Sequence, residues 1–154
     1  MRRGNQRGLT LVELIVAFTL MLLLTTMAVP LARSKVRRDR ERELRHSLRE
    51  IRSALDRYKD DCDANKLEMQ AVGQECYPKS LEVMVEGIKL QGSADKKIKY
   101  LRRIPKDPFT NSAEWGMRSM QDDPKSTSWG GQHVFDVYTK TTEKAPDGTP
   151  YSEW

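Results

Sequence analysis

Gly8-Leu9-Thr10-Leu11-Val12-Glu13, followed by the uncharged run from Leu14 to Ala32, decides how this chain is built. The run is 19 residues long, close to the ~20 that an α-helix needs to cross ~30 Å of hydrocarbon. One carboxylate, Glu13, stands at its entry. An ionised side chain in a spanning helix costs roughly 2.5–3.5 kcal/mol or more, so it is tolerated where a partner charge is expected. Before the stretch lies a polar basic leader, Met1 to Gly8, with Arg2, Arg3 and Arg7. The leader fits the rule that basic flanks stay in the cytoplasm, which places everything after Ala32 in a periplasm-like space. An ordinary secretory signal peptide is one competing reading, since Ala28-Val29-Pro30-Leu31-Ala32 is loosely like a cleavage region. Glu13 inside the apolar region and a run longer than the usual ~7–15 residues argue against it. A plain single-pass anchor is the other alternative.

Working outward, residues 9 to about 60 read as one long helix. Its first half is apolar all round, as a membrane or filament-core helix must be. Thr19, Thr25 and Thr26 can return their hydroxyls to backbone carbonyls. Pro30 removes a backbone donor and is expected to kink the helix. In the second half Leu44, Leu48, Ile51, Leu55 and Tyr58 recur at steps of 4, 3, 4 and 3, one apolar stripe that needs a partner surface. The candidate partner is the rest of the chain. Fully helical, residues 10–60 would span ~77 Å at 1.5 Å per residue. That exceeds a compact domain of this size, so part of the helix is expected to protrude.

The 154 residues allow one modest domain plus this helix. Formal net charge is +5, yet taking the three leader arginines from 27 basic against 22 acidic residues leaves +2. Between Arg33 and Lys59 there are 11 basic and 5 acidic residues. A nucleic-acid-binding helix is the sharp interpretation; a solvated face with interleaved charges such as Asp39 and Glu43 among Arg38, Arg40 and Arg42 is the bland one. On the outer side of a membrane no nucleic acid is expected, so none is assigned as a partner.

The helix is expected to end near Asp60–Asp63, followed by a polar loop to Gln74. Ser80 can cap a short helix over Leu81–Glu86 that Gly87 closes. Residues 95–101 read as a helical turn or an extended run, and Pro105 and Pro108 exclude regular structure around Asp107. Two strands are expected, over Glu114–Met120 and His133–Lys140, with a turn-rich loop between them. The tail, Ala145 to Trp154, has turn chemistry and a terminal aromatic suited to docking. The fold class is therefore α+β: a long N-terminal helix, membrane-spanning in its first half, packed through its second half on a small C-terminal antiparallel sheet domain. The expected regions are the leader 1–8, the transmembrane or filament-core helix 9–32, its amphipathic continuation 33–61 and the globular domain 62–154.

Cys62 and Cys76 bracket the polar loop. On the exported side disulfides persist, and a bridge would tether the loop to the helix end. Two free thiols or a metal pair are the alternatives; neither histidine is near in sequence and the spacing matches no zinc motif. No catalytic constellation appears: His46 sits on the charged helix, His133 opens a strand, and no phosphate loop is present. Asp147 before Gly148 is by itself a turn residue.

Gly8-Leu9-Thr10-Leu11-Val12-Glu13 resembles the leader-cleavage signal of type IV pilins and type II secretion pseudopilins, with Pro30 where those families carry a kinking proline. The resemblance implies cleavage between Gly8 and Leu9 by a prepilin peptidase and methylation of the new amine on Leu9, in place of the usual Phe. The amine of one subunit would then neutralise Glu13 of its neighbour, so Glu13 and Leu9 would carry subunit assembly. Similarity to the major pseudopilin of type II secretion continues through Ala54-Leu55-Asp56-Arg57-Tyr58-Lys59, Tyr77-Pro78, Tyr100 to Phe109 and Phe135-Asp136-Val137-Tyr138. It implies a structural, non-enzymatic subunit, inserted in the inner membrane and polymerised into a periplasmic pseudopilus. Its implied partners are further copies of itself, minor pseudopilins, the peptidase, and an inner-membrane platform with its ATPase. A surface type IV pilus subunit is the alternative, and a membrane-anchored periplasmic binding module the second. Family members bind calcium through aspartates after an Asp-Gly turn. Here Asp147-Gly148 is followed by only one further carboxylate, Glu153, too few for a cation that takes six to eight oxygens, so no cofactor is assigned and Asp147 stays a weak calcium candidate.

Overall fold

The computed structural model describes residues 10–68, 75–93 and 95–154, with the side chains of residues 27–31 left aside. Helix α1 runs over Leu11–Asp63, 53 residues. It is followed by α2 (Leu81–Glu86), β1 (Ile88–Lys89), β2 (Lys97–Ile98), β3 (Gly116–Arg118), β4 (Asp136–Tyr138) and a 3₁₀ turn at Tyr151–Glu153. The chain forms two compact units, Met1–Asp39 and Arg40–Trp154. Its architecture is the expected α+β one, a long N-terminal helix followed by a small antiparallel-sheet region.

In the first unit α1 is uncharged from Leu14 to Ala32, and its described threonines satisfy themselves. Thr19 donates to the carbonyls of Ile15 and Val16, Thr25 to Met21 and Thr26 to Leu23, at 2.8–3.0 Å. Among the described residues no helix is long and apolar enough to cross a membrane; the candidate span Leu14–Ala32 lies partly outside them.

The second unit is organised by the apolar stripe. Leu44, Leu48, Ile51, Leu55 and Tyr58 are all buried, together with Ala54 between them. They pack with Leu81 and Met84 of α2, Ile88 of β1, Tyr100, Leu101, Trp115, Val134, Val137 and Tyr151. Each buried Leu or Ile stabilises by ~1.5–3 kcal/mol, so this stripe is the main attachment of α1 to the unit. The helix ends at Asp63, within the expected Asp60–Asp63. Gly87 closes α2 with φ of 91° and donates its N–H to Val83 O. Ser80 occupies the N-cap position but makes no side-chain cap bond.

The sheet is two separate antiparallel pairs. β1 pairs with β2, Ile88 opposite Ile98; β3 pairs with β4, Gly116 opposite Tyr138 and Arg118 opposite Asp136. The extended alternative for residues 95–101 is the one adopted, and β1 is a strand the sequence did not announce. β4 is shorter than the expected His133–Lys140 because Val134 sends its N–H to Pro78 O at 2.8 Å instead of to a strand neighbour. Its alternation also fails, since Val137 and Tyr138 are both buried.

Candidate functional site

Of the residues expected to carry processing and assembly, Glu13 lies within the described residues; Gly8 and Leu9 lie outside them, as does the side chain of Pro30, although α1 is helical through its position. Glu13 stands in the first turn of α1, where the helix dipole favours a negative charge. Its own N–H donates to Thr10 Oγ1 at 3.3 Å, and the Leu14 N–H to Thr10 O at 3.2 Å. Thr10 is therefore the N-cap of α1. The Thr-x-x-Glu spacing before an apolar run is the capping-box signature, a signal legible in the sequence that the reading of Glu13 overlooked.

The helix that follows offers a continuous apolar surface. Its large side chains from Leu11 to Leu24 are 45–74% exposed. An apolar surface of this extent on one chain marks a membrane or a protein partner.

Cys62 and Cys76 form a disulfide with a Cα–Cα distance of 5.6 Å, within the usual range. It joins the last turn of α1 to the Cys76-Tyr77-Pro78 segment. Residues 69–74 of the loop it closes lie outside the described residues. Nearby, Lys66 and then Tyr100 hydrogen-bond Asp61 and hold its carboxyl below the ordinary carboxylate range. Burial, aided by the same bond to Asp61, pushes the Tyr100 hydroxyl well up.

A second cluster fixes α1 to the sheet and the tail. Arg52 grips Asp136 with two bonds of 2.7 and 3.2 Å and donates to Trp154 O at 2.8 Å. Arg118 is buried and donates to Ser126 O and Ser152 O, with its guanidinium 4.1 Å above the Tyr138 ring. Arg45 stacks on Trp154 at 4.2 Å, and the Tyr151 hydroxyl donates to Glu41 at 2.7 Å. The terminal aromatic thus docks against α1. Arg42, Arg45, Leu48, Arg49, Arg52 and Trp154 line an open groove there.

Asp147 and His133 have structural partners. Asp147 accepts the Thr149 N–H at 2.9 Å within its turn. Among the described residues no group of three or more His, Cys, Asp or Glu is placed to hold a metal ion. His46 is exposed; His133 is buried, stacks on Tyr77 and accepts the Met120 N–H at Nε2. Asp107 is fully buried, capping its own turn through the Phe109 N–H and accepting the Thr139 hydroxyl. The Asp107-Pro108-Phe109 block is thereby a folding element, a role its sequence did not reveal.

Residues 3–29 match the prokaryotic N-terminal methylation motif. The match supports a type IV pilin-like precursor, a structural protein of a pilus or pseudopilus that is processed by a prepilin peptidase and polymerises with itself. No curated protein and no solved structure matches the chain.

Proposed function

We propose that this protein is the major subunit of a periplasmic pseudopilus of a type II secretion system. It is cut between Gly8 and Leu9, methylated on Leu9 and polymerised out of the inner membrane, so that filament growth drives export. The observation that carries the reading is the methylation motif over residues 3–29, continued by a helix whose apolar side chains are exposed. Such a surface is covered by lipid before assembly and by neighbouring helices after it. Glu13 then sits where a neighbour's methylated amine offsets the cost of its charge.

The orientation rests on the disulfide. The expectation drawn from the leader's charge alone is corrected by the other flank: Arg33, Lys35, Arg37, Arg38, Arg40 and Arg42 after the uncharged run outnumber Arg2, Arg3 and Arg7 before it, so the charge rule does not by itself place the leader inside. A Cys62–Cys76 bond supports an oxidising compartment for the second unit. The further blocks that resemble major pseudopilins favour the secretion filament over a surface pilus. Electron microscopy of the processed full-length protein tests the reading: thin filaments are expected, short and periplasmic on cells. Long surface fibres would identify a pilus subunit, and a processed protein that stays monomeric would refute both.

A further inference from the structure

The first charges after the uncharged run are all positive. Arg33, Lys35, Arg37 and Arg38 follow Ala32 directly, and the next carboxylate after Glu13, Asp39, comes only beyond them. All four lie in the first unit, on helix α1. Arg33, Lys35 and Arg38 are exposed, and Arg37 is half-buried. Among the described residues Arg33, Lys35 and Arg38 form no ion pair, whereas Arg37 has an interaction within the chain. At about 100° per residue the four positions spread over roughly 200° of the helix circumference, so they form a collar and not a stripe. Along the axis they occupy ~7.5 Å. That matches one headgroup layer, the ~5–7.5 Å on each side between a ~30 Å hydrocarbon core and a ~40–45 Å bilayer.

We propose that this collar docks on the anionic headgroups of phospholipids in the leaflet through which α1 leaves the membrane. The proposal rests on the membrane insertion that the filament reading requires. A protein partner reads one face of a helix, whereas a collar suits a layer that surrounds the helix. Lys and Arg lay their stems along apolar surface while their charged heads reach a phosphate. Each basic residue beside an anionic surface strengthens the attraction about fivefold. Asp39 stands ~9 Å beyond Arg33, at the outer edge of the layer, so no carboxylate of this chain is interleaved with the four cations. The same contact gives a use to a basic flank that the charge rule disfavours on the exported side.

Spin-labelled phospholipids test it. The chain from Leu9 to Trp154, which lacks Arg2, Arg3 and Arg7, is reconstituted into phosphatidylcholine vesicles. The fraction of label immobilised on the protein is compared for phosphatidylglycerol and phosphatidylcholine. A preference for phosphatidylglycerol of about threefold or more is expected at low salt, falling toward equality as salt is added. Arg33→Gln, Lys35→Gln and Arg38→Gln together should abolish it, with limited proteolysis confirming that the second unit stays folded. Arg102→Gln with Arg103→Gln, two exposed cations of the second unit, should leave it unchanged. Equal binding of the two lipids by the parent would overturn the proposal. So would a preference that survives the triple variant or is lost in the Arg102 and Arg103 one. Inorganic phosphate that displaces the lipid better than chloride at equal ionic strength would reveal a free-anion site and overturn it too. These outcomes leave the filament reading intact, since microscopy scores that separately. A chain that alkaline washing strips from the vesicles would overturn insertion, and both readings with it.

Discussion

Gly116→Ala is a one-methyl change whose cost can be worked out from the contacts around it. An added Cβ at Gly116 would lie 2.2–2.5 Å from three atoms of the Tyr138 ring, far inside van der Waals contact. The ring cannot swing away cheaply. Its other constraints are the Arg118 guanidinium stacked at 4.1 Å and a hydroxyl bond to Thr127 O at 2.9 Å. Displacing the ring therefore disturbs a buried arginine that also holds the Ser126 and Ser152 carbonyls. Overpacking of this kind costs about 1–3 kcal/mol, and the loss of the stack puts this site near ~3. For a domain of this size that is a fall in Tm on the order of 10 °C. Tryptophan fluorescence during thermal unfolding of the detergent-solubilised chain measures it, since Trp115 neighbours Gly116 and belongs to the core. The double variant Gly116→Ala with Tyr138→Ala should cost less than the sum of the two singles, because the clash is gone. A fall of less than about 2 °C for the single variant would refute the argument that the ring is pinned.

Replacing Cys62 and Cys76 by Ser should lower the stability of the second unit by roughly 3 kcal/mol in the chain-entropy model, read by denaturant unfolding against the oxidised parent, with the reduced parent expected to match the variant. The loop around Asp122 should loosen in acid. Asp122 accepts the Ser119 hydroxyl and N–H and the Gly130 N–H, which hold its carboxyl below the ordinary range. The unfolded chain takes the proton first as pH falls, so the stabilisation is complete above the ordinary carboxylate range and is lost below it, through the lower folded value. Hydrogen exchange at Ser119 and Gly130 follows this, and Asp122→Asn should flatten the pH dependence. Glu13→Ala should be cut and folded like the parent yet sediment poorly after assembly; wild-type filament levels would show that apolar packing alone sets the register.

Much of α1 was legible because periodicity is a strong signal over many turns. The spacing of Leu44, Leu48, Ile51, Leu55 and Tyr58 named the buried face, and the Asp cluster named the helix end. Ser80 and Gly87 bounded α2 for the same reason, since caps and closing glycines follow local rules. The sheet was poorly legible because its strands are two or three residues long, too short for alternation to show. β1 depends on Leu67 and Lys66 pairing beyond it with Leu90 and Gln91, contacts no local pattern encodes. Buried charges were hidden for a different reason. Arg118 and Asp107 look like solvated residues in sequence, and only long-range partners, Ser152 for one and Thr139 for the other, make their burial tolerable. At the N-terminus the carboxylate of Glu13 was read for its charge, which drew attention from the Thr10 cap three residues earlier.

The central claim is that the N-terminal stretch is a processed assembly signal, and intact-mass analysis of the protein purified from membranes tests it most directly. The account predicts a chain beginning at Leu9 and heavier by one methyl group, with Gly8→Glu leaving an uncut precursor. A mature N-terminus after Ala28 or Ala32, or an intact leader in protein recovered with its peptidase present, would contradict it.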